Sequence, residues 1–228
     1  MKSSVLKVEN LSKAFASPIL KNISFELYKG ETVALVGANG AGKSTLLKCL
    51  MGLIYPQEGN ILFFEKEGPA SSLTRERIGF LPELVGFWPE MTPYDILSLC
   101  FQKKISKEKI KKTLEEVGLA HRIHGRVGEF SKGMTQRLGL ACLLLKNPSF
   151  LILDEPMTGL DFKAQEWLRQ FLHDWRDKDR TLLISTHSLR DVEYLADRVV
   201  VLDQGNLIRI GKKEDILPEL YKSREQVS

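Results

Sequence analysis

No apolar run in the 228-residue sequence exceeds six residues, the stretch 140–145, whereas a helical membrane span needs about 20. A helical span from this chain alone is therefore excluded, and any membrane role calls for a separate partner. Cysteine is scarce: Cys49, Cys100 and Cys142 lie far apart, form no CxxC pair and are odd in number. That rules out a disulfide scaffold and leaves buried, reduced thiols as the expectation, as in a cytosolic protein. The opening MKSSVLKVEN lacks the apolar core of a secretory signal. Low-complexity linkers and 20–50-residue repeats are missing too. Charge of one sign is in small excess, 33 basic against 29 acidic residues, net +4. Such a mild surplus does not argue for nucleic acid. What is present is an ordinary globular composition with 43% hydrophobic residues.

Alternation and turn residues predict short strands at 5–8, 23–27, 60–64 and 78–81. The run TVALV at 32–36 is a continuous apolar strand, and 44–51 reads as a helix ended by Gly52. Further helices are expected at 93–101 and 107–117, the latter from Ile110, Leu114 and Val117 on one face. Met134, Leu138, Ala141 and Leu145 repeat the same spacing, and that helix stops before Pro148. Strands at 150–153 and 182–185 flank a helix at 162–175, and 198–202 with 206–210 reads as a hairpin around Gln204-Gly205. The charged tail from Lys212 is read as short. Helices between apolar strands indicate a parallel α/β core. One domain is expected over 1–228, with 1–90 and 149–228 as the core and 91–148 as a helical insertion. Lys103, Lys107 and Lys111 recur every four residues, as a solvated face or a basic docking surface.

The segment Gly37, Ala38, Asn39, Gly40, Ala41, Gly42, Lys43, Ser44 matches GxxxxGK[ST] between a strand and a helix. Glycines let backbone N–H groups point inward and cradle phosphate oxygens. Lys43 then reaches the β- and γ-phosphates, the Ser44 hydroxyl ligates Mg²⁺, Thr45 belongs with the nucleotide-binding residues, and the helix N-terminus adds its positive dipole end. The second element is FLILDEP at 150–156. Its acidic pair sits at a strand's carboxyl end, where open α/β sheets place ligands. Asp154 is assigned to Mg²⁺ and Glu155 to polarising the attacking water.

Together these residues resemble the ATP-binding cassette (ABC) ATPases, the motor subunits of ABC transporters. Four further matches stand in that family's order. Phe130-Ser131-Lys132-Gly133-Met134 looks like the LSGGQ signature, and Glu83 stands where the Q-loop glutamine usually stands. Asp161, in Gly159-Leu160-Asp161, looks like the D-loop, and His187 like the switch histidine. The resemblance spans about residues 5–210. It implies a P-loop NTPase core with an N-terminal antiparallel β subdomain and an inserted helical subdomain, ATP and Mg²⁺ as ligands, and a second ABC subunit, in a homodimer or in a pair with a related ATPase. The signature of one subunit then faces the ATP of the other.

Ser131 is placed to cap the helix that follows, and Gly133 leaves room for a phosphate. Phe15 stands near the family's adenine-stacking aromatic; the other reading is a core phenylalanine. Three departures stand out: Lys132 replaces a signature glycine, Met134 replaces its glutamine, and Glu83 replaces the Q-loop glutamine. The Leu-Pro-Glu form with this signature resembles the subgroup serving ABC-2-type exporters.

The resemblance implies a subunit that hydrolyses ATP at the cytoplasmic face of the membrane and docks on a separate transmembrane permease, in the direction of export. The stretch 83–94, with Phe87, Trp88, Met91 and Tyr94, is a docking surface or a set of core aromatics. A soluble ABC ATPase of translation or DNA repair is the alternative; such relatives carry two cassettes or a long coiled coil, and no nucleic-acid partner is expected here. A P-loop kinase does not account for the signature or His187.

Overall fold

The computed structural model describes residues 3–65, 68, 71–100, 105–176 and 180–225. Phe101, at the end of one expected helix, and Lys103, in the lysine series, lie outside them.

Two sheets organise the chain. The first is antiparallel, in the order β2 (Pro18–Tyr28), β1 (Ser4–Ala14), β4 (Glu58–Phe63). The expected strands at 5–8 and 23–27 are the middles of these 11-residue elements. The second sheet has six strands: β5 (Ile78–Leu81), β6 (Phe150–Leu153), β7 (Thr181–Thr186), β3 (Thr32–Val36), β8 (Arg198–Asp203) and β9 (Asn206–Lys212). The first five are mutually parallel, and β9 returns antiparallel to β8 through a turn with Gln204 and Gly205 at positive φ.

The central strands are apolar on both sides because both faces are covered. Ala34, Val36, Leu151, Leu153, Leu182 and Ile184 enter one core. Their neighbours Val33, Leu35, Phe150, Ile152 and Leu183 enter a second core, shared with the antiparallel sheet and with helix α1 (Lys43–Leu50). The first core is filled from α3 (Pro93–Cys100), α4 (Lys107–Glu116), α5 (Lys132–Leu144), α6 (Phe162–Arg176) and α7 (Leu189–Leu195). Thr92 and Asp95 cap α3 reciprocally, each backbone N–H bonding the other's side chain at 3.0 and 3.1 Å.

Parallel register brings the strand ends to one edge. Val36 lies beside Thr186, Leu153 beside Ile184, and Leu81 beside Leu153. The residues that follow, at 37, 83, 154–155 and 187, therefore leave the sheet on one side.

Three helices go beyond the sequence expectations, and the expectation for the cysteines needs correction. The charged tail forms the helix α8 (Lys213–Glu225), with Pro218 inside it. Short helices α2 (Ser72–Arg77) and α7, absent from the sequence reading, complete the set. Of the cysteines only Cys49 is buried, which pushes its thiol up to about 11. Cys142 is half-buried, and Cys100, the last residue of α3, is exposed.

Candidate active site

The phosphate loop begins where β3 ends. At Gly37 a Cβ would come within 2.3 Å of the Leu202 carbonyl oxygen, so only glycine passes under the β8 end. Gly42, at φ +106, precedes α1 without any side-chain cap. The first N–H groups of a helix have no intrahelical acceptor, and here no side chain takes their place.

Lys43 is only 5% exposed. Its Nζ donates to the carbonyls of Gly37 at 2.7 Å and Ala38 at 3.2 Å, folding the loop around the ammonium. The same Nζ stands 3.1 Å from Glu155 Oε1.

Glu155 holds a left-handed backbone conformation, φ +44, which is uncommon for a non-glycine residue. Three contacts enforce it. Its N–H donates to Ser185 Oγ at 2.8 Å, Thr158 Oγ1 donates to its Oε2 at 3.3 Å, and His187 Nδ1 lies 2.9 Å from Oε2. Backbone strain of this kind persists only where surrounding contacts over-determine it. Ser185 also donates to Asp154 Oδ1 at 2.7 Å, so one hydroxyl sets both acidic residues.

A cleft of about 460 Å³ opens over this constellation. Asn39, Gly40, Gly42, Lys43, Ser44, Thr45, Glu83, Glu155 and His187 line it, with Ile19 and Thr158. Gly37, Ala38 and Ala41 shape the loop from behind, and Asp154 sits buried beneath Glu155. Phe15 is not in the lining. It projects 63% exposed, with Lys13 Nζ 5.0 Å from its ring centroid, so the core reading of Phe15 is wrong.

Glu155 Oε1 is buried, with the Lys43 ammonium as its partner. The Ser44 hydroxyl and the Glu83 carboxylate line the same cleft, and Asp154 is buried at the strand end below it, a set of hard oxygen donors that suits a divalent cation with its waters. The residues present therefore fit Mg²⁺.

The signature residues stand apart, around a second cavity of about 500 Å³ that Ser131, Lys132, Gly133, Met134 and Asp161 help to line. Ser131 is the N-cap of α5: its Oγ accepts from the Met134 N–H at 3.3 Å. The Lys132 side chain lies against Gly159, whose added Cβ would meet its Nζ at 2.5 Å. Within the cavity wall Arg137 covers the Trp167 ring, 3.7 Å from its centroid. Burial lowers the affinity of this guanidinium for its proton, against the favourable charge of Asp161.

Ile19, Thr158 and Ser185 have no assigned role in the sequence reading, and Gln136 enters it only as part of the signature-like segment. Gln136 is buried and donates through Nε2 to the Pro156 carbonyl at 3.3 Å, tying α5 to the loop after Glu155. Thr158, three residues beyond Glu155 in a turn, could have been found from that spacing; Ile19 carries no local signal.

The sequence profile of the ABC transporter family matches residues 20–158. The uncharacterized ABC transporter ATP-binding protein YxlF of Bacillus subtilis is 39% identical over 93% of this chain and 72% of its own length. The lantibiotic transport ATP-binding protein SrtF of Streptococcus pyogenes is 36% identical over 90% of this chain and 89% of its own. Among solved structures, cbiO1 of Clostridium perfringens, part of the ABC transporter complex cbiONQ, aligns with TM-score 0.82 and 28% identity, covering 98% of this chain and 94% of that one. On these similarities, with a phosphate loop, an acidic strand end and a strand-end histidine around one cleft, the chain belongs to the ABC transporter ATP-binding proteins.

Proposed function

We propose that this chain hydrolyses Mg-ATP in the 460 Å³ cleft and passes the work to a separate membrane permease, in the direction of export. The observation that carries the hydrolysis reading is the Glu155 carboxylate, held between Lys43 at 3.1 Å and His187 at 2.9 Å beside the phosphate loop.

The steps follow from the chain's own groups. Nucleotide phosphates take the α1 N–H groups of residues 43–45 and draw Lys43 toward their charge. Lys43 then exchanges its loop carbonyls for phosphate oxygens, and Glu155 loses its cationic neighbour. The freed carboxylate accepts a proton from the attacking water, while His187 orients that carboxylate and faces the γ-phosphate. Ser44, Asp154 and Glu83 would hold Mg²⁺, which supplies charge neutralisation at the phosphoryl oxygens. Phe15, exposed near the β1–β2 turn, stacks on adenine from outside the cleft.

The cavity with Ser131, Lys132, Gly133, Met134 and Asp161 receives the ATP of a second copy, which makes a homodimer the working unit. On this reading 1–90 with 149–228 binds the nucleotide and 91–148 presents the signature. The permease docks on the 83–94 stretch, where Leu84 and Trp88 are 79% and 64% exposed while Phe87, Met91 and Tyr94 pack inward. On this reading the subunit works at the cytoplasmic face of the membrane. Export is supported by the likeness to the SkfA peptide export ATP-binding protein SkfE of Bacillus subtilis, 34% identical over 90% of this chain and 88% of its own, and partnership with a permease by the likeness to cbiO1, part of a transporter complex. ATP turnover by the purified chain tests the first half: phosphate release that requires Mg²⁺ and disappears in Glu155→Gln is expected. Capture from a detergent extract tests the second: a multi-span membrane protein is expected, and ribosomes or DNA in its place would refute it.

A further inference from the structure

A buried ion pair lies outside the cleft and takes no part in the chemistry above. Arg169, on α6, is 4% exposed, and Asp191, on α7, is fully buried. The Arg169 Nε donates to Asp191 Oδ1 at 2.6 Å. Exchange of a buried pair for apolar residues of similar size is often neutral or stabilising. Stability alone therefore does not explain the pair, and the geometry at its two ends does.

At one end, Arg169 donates through NH2 to Gln165 Oε1 at 3.2 Å, and through NH1 to Glu166. The Gln165 amide in turn donates to two carbonyls of the loop after Glu155: Met157 at 3.3 Å and Leu160 at 3.2 Å. Leu160 precedes Asp161 in the wall of the signature cavity. At the other end, Asp191 Oδ2 accepts from Thr186 Oγ1 at 2.9 Å, and that oxygen accepts the Ser188 N–H at 3.0 Å. Thr186 and Ser188 are the two neighbours of His187. The histidine's backbone is thus pinned from both sides by a carboxylate that Arg169 holds.

We propose that Arg169, with Gln165 and Asp191, is a positioning device for hydrolysis: it couples the 157–161 loop to the strand end that carries His187. The inference rests on the hydrolysis reading above. A shift of the loop, which borders the signature cavity, is carried through Gln165 and Arg169 to the backbone on either side of His187. The direct contact from His187 to Glu155 closes the ring. Coupling then has a physical carrier, a chain of directional bonds between two segments that face different cavities.

Two variants test it. Gln165→Leu cuts the loop from Arg169 without leaving a charge unpaired, and Arg169→Met with Asp191→Leu removes the link through apolar substitution. Turnover of Mg-ATP, thermal unfolding and NMR titration of the His187 imidazole are measured on the full chain, with His187→Gln assigning the signal. The expected result is kcat about tenfold lower with KM for ATP within about twofold. The His187 imidazole signal is displaced from its parental position. Unfolding temperature stays near the parent's in Gln165→Leu. A folded Gln165→Leu with parental kcat and parental His187 titration overturns the proposal. So does a kcat loss that tracks lost stability while the imidazole stays unmoved. If the double variant fails to fold, Gln165→Leu decides alone. The titration reads the coupling without turnover, so it still judges this proposal if Glu155→Gln retains the parental rate and the hydrolysis reading fails.

Discussion

His187 Nδ1 stands 2.9 Å from Glu155 Oε2, while the other oxygen of that carboxylate faces Lys43 Nζ at 3.1 Å. One buried carboxylate thus joins the phosphate loop, the acidic strand end and the strand-end histidine. Its two oxygens have different surroundings: Oε2 accepts from Thr158 and lies against His187, whereas Oε1 has the Lys43 ammonium alone. The oxygen with spare acceptor capacity is the one suited to take a proton from water.

Glu155→Gln is expected to bind ATP and turn it over about 10²–10⁴-fold more slowly, as loss of a general base typically does. The amide is nearly isosteric and keeps the contacts of Thr158 and Ser185. With Mg-ATP it should accumulate as a dimer in light scattering, and Ser131→Arg added to it should return it to monomer. A parental hydrolysis rate would show that Glu155 is not the base.

Lys43→Ala should lose ATP binding or turnover. It also leaves Glu155 buried without its cation, and breaking a buried pair costs about 3 kcal/mol or more. The variant should therefore fold yet melt several degrees lower in the absence of nucleotide. Adding the second change, Glu155→Gln, should restore most of the melting temperature, because the uncompensated charge is gone. A single variant as stable as the parent would mean that solvent already screens the pair.

Phe15→Ala removes an exposed ring, so stability should change by less than about 0.5 kcal/mol. Binding of ATP and of GTP should weaken alike, by about 1–3 kcal/mol if the ring stacks on the base. Calorimetry with both nucleotides checks this. Equal affinity in variant and parent would remove Phe15 from the site.

Glu83→Gln should keep most of the ATPase activity, since the amide offers a similar oxygen to the cation or its water. Glu83 lines the cleft and is half-buried, so the exchange is tolerated sterically. A loss as large as that of Lys43→Ala would make the carboxylate essential.

The phosphate loop, the acidic pair at 154–155, the signature start at Ser131 and the strand-end His187 were all readable in the amino-acid order. Each is a short motif whose chemistry depends on neighbours along the chain: a strand before, a turn residue within, a helix after. The central strands were readable for a related reason, since burial on both faces of a parallel sheet leaves an uninterrupted apolar run. Long-range placement had no such local trace. The contact of Glu155 with His187 joins residues 32 positions apart, and it exists because β6 and β7 run parallel in a register that sets their ends level. The exposure of Phe15, the entry of Ile19 into the cleft and the bridge through Arg169 depend likewise on which elements pack together. The α8 helix was hidden by its charge and its internal Pro218; what holds it is packing of Ile216 in the core and Leu217 and Leu220 against it, contacts that do not exist until the sheet has formed.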